Sequence, residues 1–370
     1  MIQLPASFFA ARGVRVIGAG AYVPPRAIDN AHITSAIPGW SAERVAEKTQ
    51  IRERRFLWEL DRETGVAVCP PEGEPASNSD MCEIALRRAL DMAGIDAAEL
   101  DAVFLVTCTP DQVNFSYDAM QVHRRLGCRA DAYALTIDDG CGGTPYVMDM
   151  AYKMIRSGAC GTIAIIGSAC TSALVDPEVW TGEVTPAPGR KPLSAAFSMY
   201  VFGDGAGAVV LRGDGRPGEG ILASLSGNDY QELVIRRAGG NFQRQHNLTS
   251  RSEEAFTVDG LLVARSYRTY MRQCIEGVLD QRPDLADQVD RYYFHQPNKR
   301  LMDSFVADMK LPTGKVACNV DRYGNTSAAG MLILLAEDLE AGVVEIGRGD
   351  LVLVAAVGAN VHYGAQLIRL

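Results

Sequence analysis

Three residues have side chains suited to covalent catalysis and lie at the ends of predicted elements: two follow predicted strands, and one precedes a predicted buried helix. The first is Cys141, in the stretch "LTIDDGCGGTPYVMDMAYKMIRSG" (135–158). An apolar stripe at helical spacing follows it, which places Cys141 at or just before the start of a helix. Free N–H groups at a helix start favour negative charge, so we expect this thiol to lose its proton more readily than a free cysteine. Cys141 is therefore a candidate nucleophile, although a buried cysteine in a tight turn is the commoner case.

The other two candidates lie in the second half of the chain. His295 ends the aromatic-rich run "YYFHQPNKR" (292–300), and Asn325 precedes a long uncharged helical pattern in "NVDRYGNTSAAGMLILLAEDLEAG" (319–342). A histidine after a strand is often structural, and an asparagine before a helix is often its cap. A cysteine, a histidine and an asparagine at the ends of α/β elements can nevertheless form a covalent acyl-transfer site.

The composition fits a globular protein and excludes several other classes. The chain has 370 residues, 47% hydrophobic and 22% charged, which suggests two domains or one duplicated unit. The net charge of -9 argues against a nucleic-acid-binding protein. Nine cysteines without a CxxC pair, and five scattered histidines, predict neither a metal site nor a disulfide framework, and free cysteines fit the cytoplasm. We expect no signal peptide in the first 13 residues and no membrane span.

Strands rich in Val, Ile and Leu alternate with helical patterns, which predicts an α/β fold. The predicted strands are 14–20, 102–108, 133–138, 161–169, 205–212, 220–227, 291–296, 315–320, 350–358 and 362–370; the long helices are 79–95, 260–281 and 326–341. Because the halves have a similar element order, we divide the chain into 1–212, with Cys141, and 213–370, with His295 and Asn325. Two segments rich in Pro and Gly, 58–79 and 174–194, are predicted to be long inserted loops.

In its motifs the chain resembles the 3-oxoacyl-[acyl carrier protein] synthase III family of thiolase-fold condensing enzymes. The resemblance covers most of the chain and rests on "GAGAYVPPRAIDN" (18–30), "KTQIRERRF" (48–56), "DGCGG" (139–143), "FGDGAGAVVL" (202–211), "HQPN" (295–298), "GNTSAA" (324–329) and "GANVHYGAQLIRL" (358–370). It implies a duplicated five-layered αβαβα fold and a homodimer. The glycines of "GDGAG" (203–207) precede a predicted strand rather than a helix and so do not form a nucleotide-binding fingerprint, and we expect no NAD, ATP or metal.

The same resemblance implies a reaction. Cys141 would take an acyl group from a thioester, with the backbone N–H groups of Cys141 and Ala359 holding the oxyanion. A malonyl thioester would then lose CO2, while neutral His295 and Asn325 donate hydrogen bonds to its carbonyl, and the carbanion would attack the acyl group. The substrates would be acyl-coenzyme A and a malonyl group on coenzyme A or acyl carrier protein.

Four further residues are assigned to substrate binding by this resemblance. Phe115 would reach across the dimer and close the acyl pocket of the partner subunit, and Asn298 would lie near the catalytic centre. Arg300 and Arg52 would face the phosphates of coenzyme A or an acidic carrier protein.

The chain also departs from the family pattern. The usual Gly-Gly-Gly of the closing turn is Gly358-Ala359-Asn360, and alanine is poorly suited to a left-handed conformation there. The two insertions favour a specialised pathway, such as polyketide synthesis, over primary fatty-acid synthesis.

Several related activities stay open from the sequence. The acyl group could pass to an alcohol or amine, or two acyl chains could be joined without malonate, with Asp111 or Asp118 as the base. Hydrolysis of the acyl-enzyme is a further alternative. A non-catalytic partner subunit is disfavoured, because such a protein would lack the cysteine that stands at 141.

Overall fold

The computed structural model describes residues 13–185, 189, 191–236 and 250–370. The expectation that the first 13 residues contain no signal peptide falls almost wholly outside this part of the chain. The described strands are β1 Gly13–Tyr22, β2 Ala27–Asp29, β3 Glu53–Arg55, β4 Glu59–Leu60, β5 Ala67–Val68, β6 Ala102–Thr107, β7 Tyr133–Asp138, β8 Thr162–Ala169, β9 Glu183–Val184, β10 Leu193–Ser194, β11 Gly205–Gly215, β12 Gly220–Asn228, β13 Val234–Arg236, β14 Phe256–Val258, β15 Arg291–Phe294, β16 Leu351–Val357 and β17 His362–Arg369. The α-helices are α1 Asn30–Ala36, α2 Ala42–Thr49, α3 Asn78–Ala93, α4 Asp118–Leu126, α5 Gly143–Arg156, α6 Pro177–Trp180, α7 Ala196–Val201, α8 Gly260–Gln281, α9 Lys299–Asp308, α10 Val320–Tyr323 and α11 Gly330–Glu340.

Two mixed sheets form the framework. The first has the strand order β1-β11-β8-β6-β7, and the second has the order β12-β17-β16-β15. Strand β6 runs parallel to β7 and β8, and β15 runs parallel to β16, while β11 and β17 join their sheets in antiparallel fashion. The predicted division at residue 212 falls inside β11, the last strand of the first sheet along the chain.

The two sheets and their helices stack in five layers, as expected. Helices α5 and α11 lie between the sheets, α3 and α4 cover the outer face of the first sheet, and α8 and α9 cover the outer face of the second. Strand β6 shows why its sequence is continuously apolar: Phe104 and Val106 face the inner layer, whereas Val103 and Leu105 face α3 and α4. The α/β, five-layered fold class is therefore confirmed.

One predicted strand is wrong. The run 315–320 contributes a single bridge, between Val316 and Tyr292, before α10 begins. The side-chain oxygen of Gln296 accepts hydrogen bonds from the backbone N–H groups of Asn319 and Val320, at 3.0 and 3.1 Å. A side chain thus takes up the donors that a strand neighbour would otherwise have bound.

The two insertions contain more regular structure than loops. The first forms the hairpin β4–β5, and the second contributes α6 and the hairpin β9–β10, although 186–188 and 190 lie outside the described residues. Trp180 is buried in a satellite core with Ile28, Ile33 and Tyr200. The proline and glycine content of the two insertions predicted loops, whereas packing of this kind stabilises short strands and a helix in them. None of the described helices combines the length and apolar character that crossing a bilayer requires.

Candidate active site

Cys141, His295 and Asn325 line one cavity of about 1180 Å³. Cys141 follows β7, His295 follows β15, and Asn325 follows α10. These three residues come from both halves of the chain, so the site exists only where the two sheets meet. The structure brings together the residues that the sequence singled out.

Cys141 lies in the turn between β7 and α5, where the N–H of Gly143 donates to the carbonyl of Gly140 at 3.1 Å. Its Sγ is 3.6 Å from the hydroxyl of Ser327. The residue is half-buried, and the loss of water around its sulfur raises the pKa of the Cys141 thiol to about 12. The expectation of a lowered pKa is therefore wrong for the resting protein, because desolvation outweighs the helix start. The resting nucleophile is a thiol.

His295 is 4% exposed, and its backbone is fixed from two sides. Its N–H donates to the carbonyl of Ala355 at 3.0 Å, and its own carbonyl accepts a hydrogen bond from the hydroxyl of Tyr267 at 2.7 Å. Burial lowers the pKa of His295 to about 3, so the imidazole is neutral near pH 7. Within the described residues neither ring nitrogen has a hydrogen-bond partner, which leaves an N–H available to a ligand in the cavity.

Asn325 is held by its backbone and by its amide oxygen. Its N–H donates to the carbonyl of Val201 at 2.7 Å, and its Oδ1 accepts a hydrogen bond from the N–H of Ser327 at 2.9 Å. The amide oxygen is thus occupied, and Nδ2 is left without a partner among the described residues. Asn325 does not cap the buried helix α11, which begins at Gly330. Its Oδ1 instead accepts from the first residue of the 3₁₀ turn Ser327–Ala329 that runs into α11, so the cap interpretation accounts for the amide oxygen but not for Nδ2.

The closing turn (358–360) packs directly on the turn that carries Cys141. A Cβ atom at Gly358 would lie 2.1 Å from the backbone nitrogen of Gly142, so the two backbones touch without a side chain between them. The left-handed conformation expected at Ala359 occurs instead at Val361, with φ of 54°. The predicted strain therefore exists two residues later than expected, at a buried β-branched residue.

A hydrogen-bonded pair that the sequence did not reveal lies beside these turns. Nδ1 of His362 is 2.7 Å from Oδ2 of Asp139. The hydrogen bond with Asp139 raises the pKa of His362, because it favours the protonated ring. Cys108 was also missed, although its Sγ lies 3.8 Å from the same Ser327 hydroxyl that contacts Cys141. No local pattern announces these contacts, because each joins positions far apart in the chain.

The predicted substrate-binding residues separate into two groups. Asn298 and Arg300 line the cavity; the side chain of Asn298 also caps α9 by accepting from the N–H of Leu301 at 2.9 Å. Arg52 lies outside the cavity lining, is 70% exposed at its side chain and pairs with Asp321 at 2.6 Å. Phe115 is 83% exposed and does not line the cavity of its own chain.

The cavity is also lined by basic and aromatic side chains that the sequence analysis did not identify. They are Trp40, Lys48, Lys191 and Arg268. Lys48, Lys191, Arg268 and Arg300 give the cavity a positively charged portion. Leucine and valine side chains from β13, α8 and α9, together with Trp40, supply apolar surface. Such a lining suits a ligand with an apolar chain and anionic groups.

Asp111 and Asp118, considered as bases for joining two acyl chains, hold the fold instead. The carboxylate of Asp111 accepts hydrogen bonds from the N–H groups of Asn78 and Ser79 at the start of α3, at 2.7 and 3.2 Å. Asp118 is fully buried and accepts from the Asn78 side chain at 2.7 Å. Neither residue lines the cavity of this chain.

Comparisons with known proteins agree with the geometry. Residues 135–229 match the family model "3-Oxoacyl-[acyl-carrier-protein (ACP)] synthase III", and residues 279–370 match the model of its C-terminal part. The beta-ketoacyl-[acyl-carrier-protein] synthase III of Rhodospirillum centenum is 31% identical over 360 residues, which cover 96% of this chain and 98% of the relative.

Two solved structures have the same fold. The 3-oxoacyl-[acyl-carrier-protein] synthase III of Aquifex aeolicus is 27% identical with a TM-score of 0.76, over 97% of this chain and all of that one (100%). OleA of Xanthomonas campestris, at 17% identity and a TM-score of 0.74 over 99% of this chain and 100% of that one, shares the fold alone. The chain belongs to the 3-oxoacyl-[acyl carrier protein] synthase III family of thiolase-fold condensing enzymes and is an acyltransferase of that kind.

Proposed function

We propose that Cys141 accepts an acyl group from an acyl-coenzyme A thioester and that the acyl-enzyme is then condensed with a malonyl thioester to a 3-oxoacyl product. The observation that carries the proposal is the convergence of Cys141, neutral His295 and the free amide nitrogen of Asn325 on one cavity. A nucleophile and two neutral hydrogen-bond donors are the groups that acyl transfer followed by enolate formation requires.

In the first half-reaction, Sγ of Cys141 attacks the thioester carbonyl, and the thiol proton leaves with the departing coenzyme A thiol. The backbone N–H groups of Cys141 and Ala359 stabilise the oxyanion that forms. Because burial raises the pKa of Cys141 to about 12, deprotonation has to accompany attack on the bound thioester.

In the second half-reaction, the carbonyl of the malonyl thioester accepts hydrogen bonds from His295 and Asn325. The carbon–carbon bond to the carboxylate breaks, CO2 leaves, and the resulting enolate carbon attacks the acyl carbonyl on Cys141. The cysteine thiolate is released and regains a proton from solvent. Donors that are neutral and fixed in place stabilise the enolate without themselves being consumed.

The positively charged portion of the cavity, with Arg300, Lys48 and Arg268, supports binding of phosphate groups on coenzyme A or on an acyl carrier protein. Lys191 and Leu193 of the second insertion also line the cavity. We infer that this insertion shapes the choice of acyl donor, in favour of a specialised product such as a polyketide. The cytoplasm is the compartment we propose, from the free cysteines.

A homodimer is supported by one edge of the first sheet, beyond which no described strand is paired. Strand β7 is the last strand of that sheet, and Tyr133 and Leu135 on it are 57% and 51% exposed. Phe115, in the segment that leads into α4, and Met120, in the first turn of α4, are also exposed. An apolar, unpaired edge is commonly covered by a second copy of the chain. Sedimentation of the protein and of a Leu135→Lys variant tests this: a monomeric wild type would reject the dimer.

The function is tested by intact-mass spectrometry after incubation with a panel of acyl-coenzyme A thioesters. An acyl adduct should form on the wild type and on Cys69→Ala, a control at an exposed cysteine, and should be absent from Cys141→Ala. Malonyl thioester should discharge the adduct as a 3-oxoacyl product. In His295→Ala and Asn325→Ala the adduct should form but persist. Discharge by an alcohol or amine, with none by malonyl thioester, would instead indicate simple acyl transfer.

A further inference from the structure

The two turns that would supply the oxyanion hole are in contact through glycines. A Cβ atom at Gly142 would lie 2.0 Å from the carbonyl oxygen of His362, and one at Gly358 would lie 2.1 Å from the backbone nitrogen of Gly142. The N–H of Gly358 also donates to the carbonyl of His362 at 2.9 Å. The distance between the backbone nitrogens of Cys141 and Ala359 therefore depends on how these two turns are held together.

A side-chain contact spans the same junction. The imidazole of His362, just after the closing turn, lies 2.7 Å from the carboxylate of Asp139, just before Cys141. The other oxygen of Asp139 accepts a hydrogen bond from the N–H of Gly140 at 2.7 Å. The Asp139 side chain is only 8% exposed. One buried carboxylate is thus bonded both to the cysteine turn and to the residue that follows the closing turn.

The His362 ring is also supported from the side of α5. It packs against the ring of Tyr146 with centroids 5.0 Å apart. The carboxylate of Asp139 lies against the first residue of α5: a Cβ atom at Gly143 would be 2.9 Å from its Oδ2. The contact between Asp139 and His362 therefore lies at the start of the helix that presents Cys141.

The backbone between Ala359 and His362 is in a strained state. Val361 has φ of 54°, which costs a β-branched residue energy and persists only where the surroundings impose it. Its N–H donates to the carbonyl of Gly358 at 3.1 Å, and its carbonyl accepts from the N–H of Asp229 at 2.9 Å. A strained backbone beside Cys141 indicates that the groups which hold the closing turn in place act to position its N–H groups.

We propose that Asp139 and His362 are positioning residues for this reaction: their contact fixes the spacing of the Cys141 and Ala359 N–H groups, so that both reach the oxyanion. The inference rests on the proposed function, because it presumes that an oxyanion forms at Cys141. Donors act on an oxyanion when they lie about 2.7 to 3.1 Å from it, and a misplacement of roughly 1 Å can lower a rate about 100-fold.

The test measures single-turnover formation of acyl-Cys141 by quenched intact-mass spectrometry over a range of thioester concentrations. His362→Ala should lower the saturating rate by about 10- to 100-fold, with the half-saturating concentration little changed. His362→Asn should restore the rate to within a few-fold of the wild type, because its Nδ2 takes the place of Nδ1 in donating to Asp139. His123→Ala is the control: it removes a comparable histidine contact, 2.8 Å from the carbonyl of Arg129, outside the cavity lining.

Each outcome decides between the two ideas. A wild type that forms no adduct with any donor rejects the proposed function. A wild type that is acylated, with His362→Ala equally fast or with His362→Asn as slow as His362→Ala, rejects the positioning role and leaves the function intact. A change confined to the half-saturating concentration also rejects it. If His362→Ala does not fold, Asp139→Asn is measured in its place. Because this variant keeps one acceptor oxygen, its saturating rate should be lower than that of the wild type but should fall less than the roughly 10- to 100-fold expected for His362→Ala. Wild-type kinetics in Asp139→Asn would reject the positioning role.

Discussion

Replacing Gly358 by alanine would push the closing turn away from the turn that carries Cys141. The backbone of Gly358 is extended, with φ of -123° and ψ of -174°, so alanine meets no conformational penalty there. The added methyl group would lie 2.1 Å from the nitrogen of Gly142, 2.9 Å from its Cα and 3.0 Å from the carbonyl carbon of Cys141. All three atoms belong to the backbone and cannot rotate away.

The size of the effect follows from those distances. Non-bonded heavy atoms are at ease at about 3.5 Å, so the closing turn and the cysteine turn must separate by roughly 1 Å. A displacement of that size between two oxyanion donors should slow acylation of Cys141 about 100-fold, or about 2.7 kcal/mol in activation free energy. Overpacking should also lower the free energy of unfolding by about 1 to 3 kcal/mol.

The assay is single-turnover acylation of Gly358→Ala beside Gly314→Ala, with thermal unfolding of both. Gly314 is the matched control, because a Cβ atom there meets nothing within 4 Å. We expect the control to behave as the wild type. If Gly358→Ala were folded and acylated at the wild-type rate, the two turns could not act together as the oxyanion hole, and that part of the mechanism would fail.

Three further predictions concern titration and substrate binding. Burial lowers the pKa of His295 to about 3, so the ring stays neutral as the pH falls. The rate at which malonyl thioester discharges the acyl-enzyme should therefore not decrease between about pH 8 and about pH 5 through protonation of His295. A decrease in this rate with an apparent pKa near about 6.5 that disappears in His295→Asn would contradict this. Since burial raises the pKa of Cys141 to about 12, iodoacetamide should alkylate Cys141 more slowly than the exposed Cys69 at neutral pH, and the rate should increase with pH. Faster alkylation of Cys141 than of Cys69, measured by peptide mapping, would refute the raised pKa. Arg300→Ala should raise the KM for an acyl-coenzyme A about fivefold, while Arg52→Ala, outside the cavity lining, should change it little; equal effects would place both arginines at the ligand.

Most of the framework was readable from local pattern. The continuous apolar runs at 102–108 and 161–169 could be strands because both faces of the sheet are covered, and the uncharged run after Gly330 could be placed in the interior. The run 315–320 failed for the opposite reason. It is apolar enough for a strand, but the side chain of Gln296, distant in sequence, binds its backbone N–H groups.

The candidate site was predictable in its residue types but not in its electrostatics. Cys141 stands at a helix start, and that local fact pointed to a lowered pKa, whereas burial of the sulfur by segments distant in the chain raises the pKa. Asp139 and His362 are 223 positions apart, and Arg52 finds its partner at Asp321. Such contacts arise from the packing of the two halves, and neither spacing nor composition encodes them in a form that a single sequence reveals.

The position of α11 bears on how this protein can be made. This helix comes late in the chain, yet it packs against β1 and β11 of the first sheet, and its residues from Gly330 to Ala336 are buried. While the chain emerges from the ribosome, α5 can already cover part of the inner face of the first sheet, but the area that α11 covers stays open to water until nearly the whole protein has been synthesised.

The closing strand adds to this dependence. β17 at the end of the chain pairs between β12 and β16 and completes the second sheet. A chain cut between the sheets would yield a first half whose inner apolar face is covered by α5 alone, and a second half without the sheet that its α11 packs against. Because the two halves share this inner layer, we expect them to unfold in a single transition, and Cys141 can face His295 and Asn325 only after both halves have packed together.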